Sequence, residues 1–147
     1  MIYRHFGAPD RVHVARSLLR ICRKRGCALT IGNDPDLAKS VRADGVHWPE
    51  WRAEEARKWR GAFDIMTSAC HSPLAIKRLN KLPIDGILCS VVFPSRSPSA
   101  GKPMGALSFR ALTRRSLLPL YALGGVNSST AGRVAGMAGL AMVDGAF

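Results

Sequence analysis

Residues able to do chemistry gather at the ends of apolar runs in this chain. Gly124 and Gly125 stand between the apolar stretch PLYAL and the polar cluster NSST. Two glycines at the end of a strand offer bare backbone to an anion, since no Cβ blocks the N–H groups and glycine accepts either sign of φ. If a helix follows over NSSTAGRVAGM, its first N–H groups add donors aimed at the same point. A glycine pair is also an ordinary strand-to-helix turn, and the residues alone leave both readings open. Three of the four histidines, His5, His47 and His71, lie near the ends of such runs as well. Three imidazoles can hold Zn²⁺, although no acidic side chain beyond Asp34 is obvious to join them. Asp34 precedes Pro35, the pattern of a helix N-cap with proline at the first helical position.

The charge balance narrows the partners. Lys and Arg outnumber Asp and Glu 22 to 10, a net +12 with a pI near 10.6. Such a surplus favours anions, phosphorylated small molecules among them. In RVHVARSLLRICRKRG, Val14, Leu18, Ile21 and Cys22 mark one helical face, and Arg16, Arg20, Arg23 and Lys24 another. A solvated helix face explains that basic stripe better than a nucleic-acid footprint, because no aromatic residues interleave with it. No stretch approaches the ~20 apolar residues of a membrane span, and the N-terminus lacks the apolar core of a secretory signal. Cys22, Cys27, Cys70 and Cys89 form no CxxC pair, so free and mostly buried thiols in a reducing cytoplasm are expected.

The elements that must position these residues alternate. Short β-type runs read at MIYRHF, CALTIG, DGVHW, FDIMTSA, DGILCSVVF, LLPLYAL and GLAMVDGAF. Helical patterns lie between them: the basic helix closed by Gly26, a short helix from Asp34 through Val41, PEWRAEEARKW, SPLAIKRLNKL capped by Ser72, the region around ALSFRALTRR, and NSSTAGRVAGM. A turn of similar composition precedes several strands, in RADGVHW, PIDGILCS and GMAGLAMV. Repeated βα units with strands apolar on both faces predict parallel strands covered by helices. The expected fold class is α/β of the (β/α)₈ TIM-barrel type, as a single domain over residues 1–147. A full barrel has eight strands and usually ~250 residues. The pattern therefore reads as lacking the first strand and helix and the last helix.

Four segments in order resemble thiamine phosphate synthases and their TenI-type relatives. They are ALTIGNDPDLAKSVRADGVHW, TSACHSPLAIKRL, VVFPSRSPSAGKPMG and LYALGGVN, and the resemblance runs from about Tyr3 to Ala146. It implies a phosphate-binding (β/α)₈ barrel whose strands two to eight are present. It also implies Mg²⁺-assisted coupling of hydroxymethylpyrimidine diphosphate to thiazole phosphate, with release of pyrophosphate. Carried over residue by residue, it assigns Arg4 to the diphosphate, Asn33 and Asp34 to diphosphate and metal, Ser95 and Ser97 to the thiazole-phosphate loop, and Gly124 with Gly125 to phosphate backbone contacts. His71 falls where a TenI-type member that isomerises thiazole phosphate could carry a general acid or base, a task suited to imidazole.

Departures accompany the resemblance. Ile2 and Phe6 stand where Gln and Lys flank the arginine in the family. Arg52 stands where the second metal carboxylate is expected, with Glu50 nearby, and Ala69 replaces a serine. Pro98 replaces the loop lysine, whose space Lys102 could reach. Asp144 replaces a serine beside the thiazole phosphate, and a carboxylate within ~4 Å of a phosphate costs on the order of 1–4 kcal/mol. Synthase chemistry, a TenI-type isomerisation and a non-catalytic phosphate-binding barrel are all compatible with this set. Partners expected are a phosphorylated small molecule and a second copy covering open barrel edges.

Overall fold

In the computed structural model, which describes residues 1–97 and 100–143, seven parallel strands lie side by side in chain order. They are β1 (Ile2–Tyr3), β2 (Thr30–Gly32), β3 (Gly45–Trp48), β4 (Ile65–Cys70), β5 (Gly86–Cys89), β6 (Leu120–Ala122) and β7 (Gly139–Leu140). Each is shorter than the apolar run that announced it. The sheet curls: Met1, Ile2 and Arg4 at one edge and Leu140, Met142 and Val143 at the other line the same cavity of about 780 Å³. It does not close among the described residues, since β1 pairs with β2 and β7 with β6. The α/β class and parallel order stand as read from the sequence, and what they form is a curled open sheet of seven strands.

Side chains alternate across the strands. His47, Thr67, Leu88 and Tyr121 face the cavity, while Ile31, Val46, Trp48 and Ile87 are fully buried in the layer beneath the helices. The recurrent Asp-Gly turn has a mechanical explanation. Asp44 Oδ2 accepts the N–H of Leu29 at 2.7 Å, and Asp85 Oδ2 accepts that of Met66 at 2.7 Å, so each carboxylate latches the strand two elements back. The glycine that follows lets neighbouring chain pass, for a Cβ on Gly45 would run into the Ile65 carbonyl.

Among the described residues there are four α-helices, α1 (Arg11–Lys24), α2 (Pro35–Val41), α3 (Pro73–Leu79) and α4 (Gly105–Thr113). The predicted caps of two of them hold. Asp34 accepts Leu37 N–H ahead of α2, and Ser72 accepts Ala75 N–H ahead of α3, each followed by proline. Gly26 follows α1 with φ +63°, the left-handed closure glycine supplies. The buried face of α1 differs from the one read in the sequence. Ala15, Leu19 and Cys22 form it, and Ile21 is half exposed at 50%.

Two helical expectations need larger correction. PEWRAEEARKW is a ten-residue 3₁₀ helix, Glu50–Trp59. Its inward residues suit this form: Ala53 and Ala56 are buried and Trp59 is half-buried, a spacing of three that the tighter helix brings directly into line. NSSTAGRVAGM gives just one 3₁₀ turn, Ala131–Arg133. There Asn127 Oδ1 accepts the N–H groups of Ser129 and Thr130 at 2.9 and 3.2 Å, and Thr130 Oγ1 accepts that of Asn127 at 2.9 Å. This local turn chemistry, with Gly132 and Gly136 downstream, outcompetes a helix. Cys22, Cys70 and Cys89 are buried free thiols, whereas Cys27 is exposed.

Candidate active site at the carboxy ends of the strands

The carboxy ends of β1 to β6 place Arg4, Asn33, Glu50, His71, Ser90 and Gly124 around one rim, above the cavity. Parallel strands with short following turns put every such residue at the same end, which is why chemistry in folds of this class sits there.

At the first two strands, four side chains interlock. Arg4 and Phe6 lie over Gly32, where an added Cβ would come within 2.9 Å of Arg4 Cγ. The Phe6 ring carries two guanidinium groups, Arg4 at 5.9 Å and Arg11 at 6.0 Å from its centroid, a cation–π arrangement. Arg11 Nη1 donates to Asp34 Oδ2 at 2.8 Å, and Asp34 Oδ1 accepts the Leu37 N–H at 2.9 Å. Asn33 sits in the left-handed region, φ +56°, a conformation asparagine tolerates better than most residues. Arg52 Nη1 donates to the Asn33 carbonyl at 3.1 Å and to its Oδ1 at 3.0 Å. On its other edge Arg52 makes a bidentate pair with Glu55, 2.6 and 2.8 Å. The hydrogen bonds that Arg52 donates to Glu55 raise it above its ordinary pKa, with Asp34 and Asp36 adding to this against partial burial.

The cavity floor is polar at one point. His47 Nδ1 is 2.9 Å from Thr67 Oγ1, and burial, with Arg4 and His71 nearby, lowers its pKa to about 4. His47 is thus a neutral hydrogen-bonding group at pH 7. Tyr121 projects into the same space, flanked by Gly86 and Gly139, where added Cβ atoms would meet its ring.

Further round the rim, His71 N–H donates to Glu50 Oε2 at 2.6 Å. His71 Nδ1 is 3.1 Å from both the Ser90 carbonyl and Ser90 Oγ. A carbonyl oxygen only accepts, so Nδ1 is the donor in this contact, and the neutral tautomer compatible with it leaves Nε2 as the acceptor. Arg78 Nη2 donates to the Glu50 carbonyl at 3.0 Å. His5, His47 and His71 do not converge: among the described residues no three His, Cys, Asp or Glu side chains form a group able to hold a metal ion.

Gly124 and Gly125 have φ of +86° and +63°. Packing demands them as firmly as φ does. A Cβ on Gly124 would sit 2.8 Å from Val91 Cγ1, and one on Gly125 would strike the Pro94 carbonyl and lie 2.7 Å from that of Phe93. The pair seats the Val91–Pro94 loop, whose Val92 and Phe93 N–H groups donate to the carbonyls of Leu123 and Gly124 at 3.0 Å. Ser95 Oγ accepts the Ser97 N–H at 3.2 Å, and Lys102 is exposed. Asp144 lies outside the described residues.

Mg²⁺, which the family resemblance implies, requires several oxygen donors in near-octahedral array. The oxygens on hand are already engaged: both of Asp34, the amide oxygen of Asn33, and Oε2 of Glu50. A metal here would share these oxygens with their present donors, and Arg52 stands where the resemblance expects the second carboxylate. Arg11, Glu50 and Ser90 were not singled out as site residues by sequence reasoning. Arg11 resembled one more basic residue of α1, and only the fold brings it to Asp34. Arg52 signalled itself by standing where a carboxylate was expected.

Residues 2–146 match the family model described as thiamine monophosphate synthase, TMP-TENI. The chain is 31% identical over 144 residues to a thiamine-phosphate synthase of Limosilactobacillus reuteri, covering 94% of this chain and 67% of that protein. It is 30% identical over 125 residues to a probable thiamine biosynthetic bifunctional enzyme of Oryza sativa, covering 84% of this chain and 23% of that protein. A solved thiamine phosphate pyrophosphorylase from Pyrococcus furiosus superposes with TM-score 0.81 at 20% identity, over 96% of this chain and 71% of that one. The chain thus spans from about a quarter to two-thirds of the length of these curated relatives, and it belongs to the thiamine monophosphate synthase family.

Proposed function

We propose that the chain acts on phosphorylated small molecules at the carboxy-terminal rim, as a transferase of the thiamine-phosphate synthase type. Residues 1–147 act as one domain, and the seven strands stand for strands two to eight of a (β/α)₈ barrel. The observation that carries this reading is Arg4. It lines the cavity, carries no ion pair among the described residues, and stands beside a histidine held neutral. In the coupling reaction the thiazole nitrogen forms a bond to the pyrimidine methylene carbon as the carbon–oxygen bond to diphosphate breaks. Charge then builds on the leaving pyrophosphate, where a free guanidinium lowers the barrier. The backbone at Gly124 and the hydroxyls of Ser95 and Ser97 receive the thiazole phosphate. The test is turnover: purified protein with both substrates is expected to yield thiamine phosphate, and Arg4→Ala to lower kcat/KM by about 10²-fold or more. Binding without any product would leave a non-catalytic phosphate-binding barrel.

A second reading rests on the tautomer of His71. With Nδ1–H held by the Ser90 carbonyl, Nε2 can take a proton from a bound thiazole phosphate, a TenI-type isomerisation. Loss of isomerase activity in His71→Asn, with ligand binding kept, would support it. The unpaired edges, with Leu140, Met142 and Val143 exposed beside β7, support a homodimer that covers them. The buried free thiols Cys22, Cys70 and Cys89 support a cytoplasmic setting.

A further inference from the structure

The turn after β2 is closed by the chain's own cations. Arg52 occupies the point where the family resemblance expects a metal carboxylate, so the charge at this position is inverted. Of its five N–H donors, two face Glu55 and two face Asn33. The Trp48 ring, 5.7 Å from its guanidinium carbon, backs it. One Nη2 hydrogen is left for a ligand. At Asp34, Arg11 uses Nη1, while its buried Nε and Nη2 have no hydrogen-bond partner among the described residues. Arg4 completes the group over Gly32. Three guanidinium groups, Arg4, Arg11 and Arg52, thus gather at this turn, with Asp34 and Glu55 as their direct partners and Asp36 acting on Arg52 as well.

We propose that this rim is an oxyanion site that works without a divalent cation, the Arg52 guanidinium standing in the metal's place and receiving phosphate oxygens together with Arg4. A fixed guanidinium supplies two things a metal would supply here. It ties Asn33 to the segment after β3, and it gives positive charge close to an incoming phosphate. It differs in needing no carboxylate oxygens, and both of those on Asp34 already accept a hydrogen bond. A metal entering this turn would compete with Arg11 for Asp34 Oδ2 and with Arg52 for Asn33 Oδ1.

The inference rests on the reading of the rim as phosphate-directed, and the experiment separates the two. Inorganic pyrophosphate is titrated calorimetrically into the protein in EDTA, and again in 2 mM Mg²⁺. Saturable binding in EDTA, with a Kd no weaker than in Mg²⁺, is expected. Arg52→Gln keeps the shape but removes the charge, and should weaken binding in EDTA about tenfold, with no rescue by Mg²⁺. Arg52→Asp should in addition acquire Mn²⁺ binding, read as loss of the free Mn²⁺ spin-resonance signal, which wild type lacks. Binding that needs Mg²⁺ overturns the inference and leaves the phosphate-directed reading standing. Unchanged pyrophosphate binding in Arg52→Gln also overturns it, since Arg52 would then be a structural clamp alone. No binding under either condition overturns both.

Discussion

His47 and Gly125 show how single residues answer to the folded surroundings. In the unfolded chain His47 titrates near 6.5, and in the fold near 4. Between those values the unfolded state binds the extra proton, so stability falls as pH drops through that window and is constant above it. A shift of this size corresponds to about 3 kcal/mol. Urea denaturation at pH 7 and pH 4 should show that loss in wild type and a smaller one in His47→Gln, whose amide can still meet Thr67. Groups acting on His47 include the guanidinium of Arg4 and the imidazole of His71, so Arg4→Ala should narrow the window. Gly125 carries both a positive φ and a backbone obstruction. Gly125→Ala is expected to cost more than about 2 kcal/mol. Gly61→Ala, at φ +81° with open space around the Cβ, should cost about 1 kcal/mol. If thermal melts place the two alike, the packing account of the glycine pair is wrong. Because Gly125 is structural in this way, a lost phosphate response in its variants would say little about phosphate.

Among the elements, the turn into α2 carries the most in the fewest residues. Asp34 caps the helix and neutralises Arg11 at the same time. Asp34→Asn keeps a cap acceptor and loses the ion pair, leaving a partly buried guanidinium with less compensation. The expected cost is about 1–3 kcal/mol, against about 1 kcal/mol for the simpler cap change Ser72→Ala. Chemical denaturation of the two variants in parallel checks the order. The sequence made both caps legible, since Asp-Pro and Ser-Pro at helix starts carry their own mechanism. It did not reveal Arg11 as the partner, because twenty-three residues of chain separate the pair and basic residues cover the whole of α1. The 3₁₀ character of Glu50–Trp59 was hidden for another reason. Its composition suits an α-helix, and the three-residue spacing of Ala53, Ala56 and Trp59 gains meaning only once β3 and β4 are there to pack against.

For the whole molecule, net charge and topology act together. A net charge of +12 steers anions toward the rim, and salt screens that attraction beyond a Debye length of about 10 Å at 0.1 M. The Kd for pyrophosphate should therefore rise several-fold between 50 and 300 mM NaCl, as measured by calorimetry. A salt-independent Kd would mean that short hydrogen bonds alone hold the ligand. Among the described residues the outer edges of β1 and β7 are unpaired, which leads to a second expectation. Light scattering behind size exclusion should show a dimer at micromolar concentration, and Leu140→Lys at the β7 edge should shift it toward monomer.

By itself the sequence determined the alternation of seven strands and their intervening segments, the parallel order, the Asp and Ser caps, and the family. These follow from local patterns: apolar runs of fixed length, proline beside a capping residue, and motifs in one order. The Asp-Gly repeat was visible too, though its purpose as a latch between neighbouring strands was not. The tertiary structure alone decided which polar groups meet. It brought Arg11 to Asp34, Arg52 to Asn33 and His71 to Ser90, and it turned NSST from a helix start into a self-satisfied turn. The physical reason is one of range. Caps and periodicity are settled within a few residues, whereas the charge at the rim depends on side chains that adjacent strands bring together from distant parts of the chain.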